Sequence, residues 1–238
     1  MKKITTILLL VLISSALKAQ PWFDIGIKGG IGSSFMYNKQ IFDKQTLTHQ
    51  FKPGYGYGAK LGFNFIQAHQ ITFDIMQTSF SQGFIYYPEA GLEKNREYTI
   101  HSRDLLLMYR SNVKGTYFEV GPQWSTVTKV DFSDNNITFP STSTPDNIIN
   151  KSIFSLALGF GGYVFGTDNF GITTGIRLNY TLNDIASDEG RNLNFPFLDS
   201  AEANATHNLG VMFVVEMNYD FGYLVSSSCG QRTKLFVF

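Results

Sequence analysis

Among 238 residues there is one cysteine, Cys229, which excludes an internal disulfide framework and any zinc site built on cysteines. Charge is scarce too: 16% of residues are Asp, Glu, Lys or Arg, and 19 basic residues cancel 19 acidic ones. A chain without excess positive charge offers little to a phosphate backbone, so nucleic acid is not expected as a partner. Beyond residue 19 no apolar run is long enough for a membrane-crossing helix, which needs ~20 residues. No histidine pair stands at metal-ligand spacing and no nucleophile elbow occurs. Gly159-Phe160-Gly161-Gly162 leads into a strand pattern rather than a helix, so it is no phosphate loop. No cofactor is implied.

What is abundant is aromatic side chain and glycine: 22 Phe, 12 Tyr and 22 Gly. Aromatics favour strands, and glycine permits turns and close backbone approach. In 170–182 the residues Phe170, Ile172, Thr174, Ile176, Leu178, Tyr180 and Leu182 share one parity, against Gly171, Thr173, Gly175, Arg177, Asn179 and Thr181. A period of two means a strand with one apolar and one polar face. The run before it behaves alike, with Phe154, Leu156, Leu158, Phe160 and Val164 against Ser155, Gly159 and Gly161. The intervening Gly166-Thr167-Asp168-Asn169 suits a tight hairpin.

The rest of the chain reads as variations on that hairpin. Residues 1–19 carry a lysine start, an apolar core and a small-residue end before Gln20, the pattern of a cleaved signal peptide with no lipidation cysteine. Strands follow at about 22–35, 55–65 and 71–86. In the third the apolar parity switches between Ile75 and Phe80, which suggests a bulge near 77–79. Residues 88–97 form a charged loop; 104–110 is the least regular strand, since Leu106 and Met108 break the alternation. The next, 118–126, contains Pro122, a residue that normally marks an edge or a distortion. A polar loop at 129–150, the hairpin above, a second polar loop at 183–205 and a strand at 209–221 complete about eight strands. Connections alternate long and short, the rhythm of a transmembrane barrel with short periplasmic turns and longer extracellular loops.

Which face meets which solvent follows from charge. The apolar faces of the second, seventh and eighth strands carry no charge, although a soluble exterior is normally charge-rich. Aromatics gather near strand ends (Trp22, Phe63, Tyr180, Tyr219), as interfacial girdles do. The apolar parity therefore faces lipid. A soluble lipocalin-like carrier with the alternation inverted is the competing reading. The polar parity then places Asp24, Lys28, Lys60, Asp74, Asp104, Arg110, Glu119, Arg177, Glu216 and Asp220 inside. An eight-stranded barrel is just wide enough to be filled by its own side chains, and buried charges need partners. An internal salt-bridge network is expected rather than an open pore, with a gated ion path as its functional alternative.

The motifs Asp24-Ile25-Gly26-Ile27-Lys28-Gly29-Gly30, Asp104-Leu105-Leu106-Leu107-Met108-Tyr109-Arg110 and Tyr117-Phe118-Glu119-Val120-Gly121-Pro122-Gln123-Trp124 follow a signal peptide ending Ala19-Gln20. In these the chain resembles the outer-membrane β-barrel proteins of Bacteroidota grouped as the PorT family. Where that family has Ile-Pro before its leucine run, this chain has Arg103-Asp104. The resemblance implies an outer-membrane location, no catalytic residues, and for some relatives assistance to type IX secretion.

Candidate chemistry is thin. His49 lies near Asp43 in the first loop, and His101 and Ser102 precede Asp104. With His69 and His207 these histidines are scattered, as solvated ones are. A lipid-modifying envelope enzyme borne on the loops is the alternative they leave open. Asn136-Ile137-Thr138 and Asn204-Ala205-Thr206 fit a glycosylation pattern that means little in a bacterial envelope. The expected fold is all-β: a transmembrane antiparallel up-and-down β-barrel over 20–222, after a signal peptide at 1–19 and before a tail at 223–238. The expected function is that of a structural or interaction protein, not an enzyme, acting as a monomer. Its partners would be outer-membrane lipid, the barrel-assembly machinery, and envelope or secretion-system proteins met through the loops at 129–150 and 183–205.

Overall fold

A computed structural model describes residues 22–44, 47–66, 68–89, 92–134, 144–167, 169–198 and 204–221. The signal peptide, the tail with Cys229, and Asn136-Ile137-Thr138 lie outside the described residues. The strands are β1 (Trp22–Asn38), β2 (Thr48–Gln50), β3 (Gly54–Ile66), β4 (His69–Glu89), β5 (Leu92–Val113), β6 (Thr116–Asp134), β7 (Ser152–Gly166), β8 (Phe170–Thr181) and β9 (Thr206–Asp220). Two short helices, α1 (Lys39–Lys44) and α2 (Asp188–Asn192), belong to the connections. All pairings are antiparallel. The sheet runs β4-β3-β1-β9-β8-β7-β6-β5 and closes through β4–β5, while the three-residue β2 pairs with β4 beyond the reach of β3. Eight long strands thus form a barrel without a free edge.

Parity decides what each side chain meets. Phe23 and Ile27 on β1 are 62% and 63% exposed, whereas Asp24 and Lys28, the residue after each, are buried. Leu61 and Phe63, Ile71 and Phe73, Leu105 and Leu107, Phe213 and Met217 repeat the pattern around the wall. Apolar outside and charged inside is the reverse of a soluble carrier. An uninterrupted apolar exterior of this size belongs in hydrocarbon. The barrel is transmembrane.

Three local expectations are corrected. Residues 77–79 hold no bulge: Gln77, Thr78 and Ser79 pair in unbroken register with Arg103, Ser102 and His101. The apolar parity switches because the contents of the lumen change, and Phe84 points inward and is fully buried. The charged stretch 88–97 is no wide loop, since β5 begins at Leu92 and pairs with β4 from Glu89 onward, making a tall hairpin. Pro122 does not displace β6. The ladder to β5 keeps one register from Leu106↔Gln123 to Tyr109↔Val120 and skips only the rungs where proline has no N–H to donate.

The turns between β3 and β4, β5 and β6, and β7 and β8 gather at one end; the long connections gather at the other. The long connections turn inward. Ile148, Ile149, Ile185, Ala186 and Phe195 pack with Met36, Phe84, Tyr98 and Ile153 into one apolar core that fills the barrel mouth. Arg96 of β5 ties this plug down, donating to the carbonyls of Pro196 (2.8 Å) and Phe197 (2.5 Å) and pairing with Asp134 (2.7 Å).

Candidate functional site: a sealed lumen

Seven strands each send charge inward at one level, and the eighth makes room. Glu216 of β9 pairs with Lys28 (3.0 Å), Lys28 with Asp74 (2.5 Å), and Asp74 with Arg177 (3.1 Å). Arg177 pairs with Glu119 (2.6 Å), Glu119 with Arg110 (2.8 Å), and Arg110 with Glu216 again (2.8 Å). The circuit is closed. Lys60 branches from it, bridging Glu216 and Asp24 at 2.8 Å each. Four cations meet four anions, all buried, so the assembly is neutral as a whole.

Hydrogen bonds fill the remaining valences. Asp24 also accepts from Asn64 (2.7 Å) and Gln70, and Glu216 accepts from Asn218 (2.7 Å). The Arg110 guanidinium stacks over Tyr117, 4.3 Å from the ring centre. β7 contributes emptiness: a Cβ at Gly159 would stand 2.6 Å from the Glu119 carboxylate, so only glycine leaves space for that side chain. Gly62 does the same for Asp24. An ion pair taken from water repays its desolvation only with such complete partnering.

Of the ten inward charges expected from parity, the structure brings Asp24, Lys28, Lys60, Asp74, Arg110, Glu119, Arg177 and Glu216 into this circuit and its branch. Asp104 departs from that expectation, and Asp220 takes its inward position at the mouth. Asp104 is held by the hydroxyls of Ser102 and Thr78, 2.8 Å each, because its cross-strand neighbour inside the barrel is Met76 rather than a cation. Asp220 is half-buried at the short-turn mouth, on the last inward position of β9. It lines a cavity of about 470 Å³ together with Trp22, Asn64 and Gln70. Asp24 and Lys60 also line this vestibule, which therefore meets the charge circuit at its inner end.

Sequence reasoning missed the apolar layer above the circuit. Met76, Leu106, Met108, Ala157, Met212 and Val214 point inward and pack together. The signal was present as Leu106 and Met108 on the polar parity of the irregular strand. The plug was also missed, since its residues lie in loops of polar composition. The lumen is thus blocked by charge pairs, by an apolar layer and by an apolar cap.

The histidines sit apart. His49 stands 3.2 Å from the Gln82 amide and packs tilted against Phe84, with ring centres 5.3 Å apart. His101 meets Asp131 at 3.0 Å on the exterior, and His69 meets the Tyr109 hydroxyl at 2.7 Å. His207 approaches the Thr181 carbonyl at 3.1 Å. Asp43 is exposed on α1. Among the described residues no group of His, Cys, Asp and Glu is arranged to hold a metal.

No family model and no curated protein matches the chain. Similar folds occur among solved structures. Outer membrane protein OprG from Pseudomonas aeruginosa shares 11% identity, covering 85% of this chain and 96% of that one, with a TM-score of 0.43. Neisserial surface protein A shares 10%, covering 82% and 95%, with a TM-score of 0.38. The outer membrane protease OmpT from Escherichia coli shares 11%, covering 84% and 96%, with a TM-score of 0.34.

Proposed function

We propose that this chain is an outer-membrane barrel that acts as a structural and interaction protein, with its short turns in the periplasm and its long-loop end outside. The observation that carries the reading is the sealed lumen: among the described residues, charge circuit, apolar layer and plug leave no open path for a solute. A barrel that moves nothing through itself works through its surfaces. The surface at the long-loop end is held in shape by Arg96 and the plug, which suits recognition by a rigid scaffold. The signal-peptide pattern at 1–19 supports export, and the apolar band around the exterior supports residence in lipid. Outer-membrane lipid, the assembly machinery and envelope proteins are the partners this reading requires, with the chain as a monomer.

The resemblance in the Asp24–Gly30, Asp104–Arg110 and Tyr117–Trp124 motifs supports a narrower role as an accessory to type IX secretion. A clean deletion in the source bacterium, followed by quantification of medium and surface proteins, tests it. Periplasmic accumulation of proteins with C-terminal sorting domains is the expected result. An unchanged secretome overturns the secretion role.

A further inference from the structure

Between the apolar layer and the plug lies a second, inner chamber of about 60 Å³. Its polar lining includes Asp104, Thr78, Gln123, Ser125, Asn179 and Asn208. Phe80, Ile100, Ile153 and Ile185 face it as well.

The polar lining has an unusual balance. Asp104 is 3% exposed, and no cation among the described residues stands within ion-pair distance of it. Its carboxylate is held by hydroxyls alone, from Ser102 and Thr78 with Ser125 as a third. Arg177, the basic residue of the circuit on that side, spends one Nη on the Met76 sulfur at 3.4 Å and the other on Asp74 and Glu119. Since the circuit is neutral by itself, the Asp104 charge is not balanced by it. Three further oxygens, Gln123 Oε1, Asn179 Oδ1 and Asn208 Oδ1, are buried without a hydrogen-bond partner among the described residues. Gln123 is 5% exposed, and its Nε2 donates to Ser125 Oγ at 3.0 Å, which leaves the carbonyl oxygen for the chamber. One carboxylate without a cation, three unpartnered amide oxygens and several hydroxyls therefore share one chamber.

Buried carboxylates and orphaned carbonyl oxygens are both costly, and one guest satisfies all of them. We propose that the inner chamber binds a small hard monovalent cation, sodium being the natural probe, with Asp104 as its charged ligand and Gln123, Asn179 and Asn208 as neutral oxygen ligands. Hard cations take oxygen donors. A single negative charge is balanced by a single positive one, whereas a divalent ion leaves excess charge in an apolar surround. The volume suffices: a cavity of this kind needs only ~10–15 Å³ to hold one water, so the chamber admits an ion together with several waters. The site is independent of the secretion role proposed above.

The test uses the full mature chain folded in detergent micelles. Thermal unfolding is followed in sodium chloride, potassium chloride and choline chloride at matched ionic strength, with isotope-edited infrared spectra of the aspartate carboxyl groups. Sodium-specific stabilisation that saturates, with Asp104 ionised at neutral pH, is the expected result. Asp104→Asn should abolish the sodium dependence. Gln123→Leu, which keeps the charge and removes one oxygen, should raise the half-saturating sodium concentration roughly tenfold. If the three salts stabilise equally, or if Asp104 is protonated at neutral pH with sodium present, the chamber is a neutral pocket and the proposal falls. If Asp104→Asn fails to fold, the Gln123→Leu titration decides alone.

Discussion

At the scale of single residues, Glu216 is the hub of the circuit, with Lys28, Lys60 and Arg110 all on its carboxylate. Glu216→Gln strands three buried cations, and breaking a buried pair by removing one partner costs about 3–5 kcal/mol. The folded band on unheated gels should weaken, and the urea midpoint in micelles should fall accordingly. Gly159→Val should destabilise by the opposite fault. It overfills the space beside Glu119, and overpacking costs about 1–3 kcal/mol. His49 gives a pH dependence. Burial holds its imidazole below the ordinary value of 6.5, against a smaller upward pull from its hydrogen bond with Gln82. The unfolded chain then binds more protons than the folded one. Its contribution is complete above that value and is lost as pH falls below it. Hydrogen exchange at β2 should quicken on acidification, and His49→Phe should remove that response.

At the scale of elements, alternation was legible wherever the two solvents stayed constant along a strand. β1, β3, β7, β8 and β9 follow their parity because lipid lies on one side and the packed lumen on the other. Parity was misread where the lumen changed character. In β4 the inward series runs Asp74, Met76, Thr78, Phe80, Gln82, Phe84, and a shift from polar to apolar contents looks in sequence like a slipped register. The length of the β4–β5 hairpin was hidden because strand above the membrane carries charge outward, as Glu93 and Glu97 do. The plug depends on Arg96. Arg96→Gln removes the ion pair to Asp134 and the guanidinium donors to the Pro196 and Phe197 carbonyls, so limited proteolysis should cut within 183–198 while the barrel below survives.

At the scale of the whole molecule, two solvents and a shared interior explain why so few charges suffice. The exterior excludes them, since one at the lipid midplane costs about 2–4 kcal/mol. Leu107→Arg should reduce folded yield into vesicles by that margin, measured by refolding at equilibrium. The interior gathers them, and the identity of eight circuit members was readable from parity alone. Their pairing was not, because partners such as Lys28 and Asp74 are 46 residues apart and meet only through barrel closure. The same holds for the chamber, whose oxygens come from several strands and show no spacing in sequence.

Whether the lumen is sealed can be read from reconstitution of the mature chain into planar lipid bilayers. The sealed barrel should pass no stable current, and removing 183–198 should leave it closed because the charge circuit and apolar layer remain. A steady, ion-selective conductance from the native chain would show an open lumen and overturn the sealed barrel.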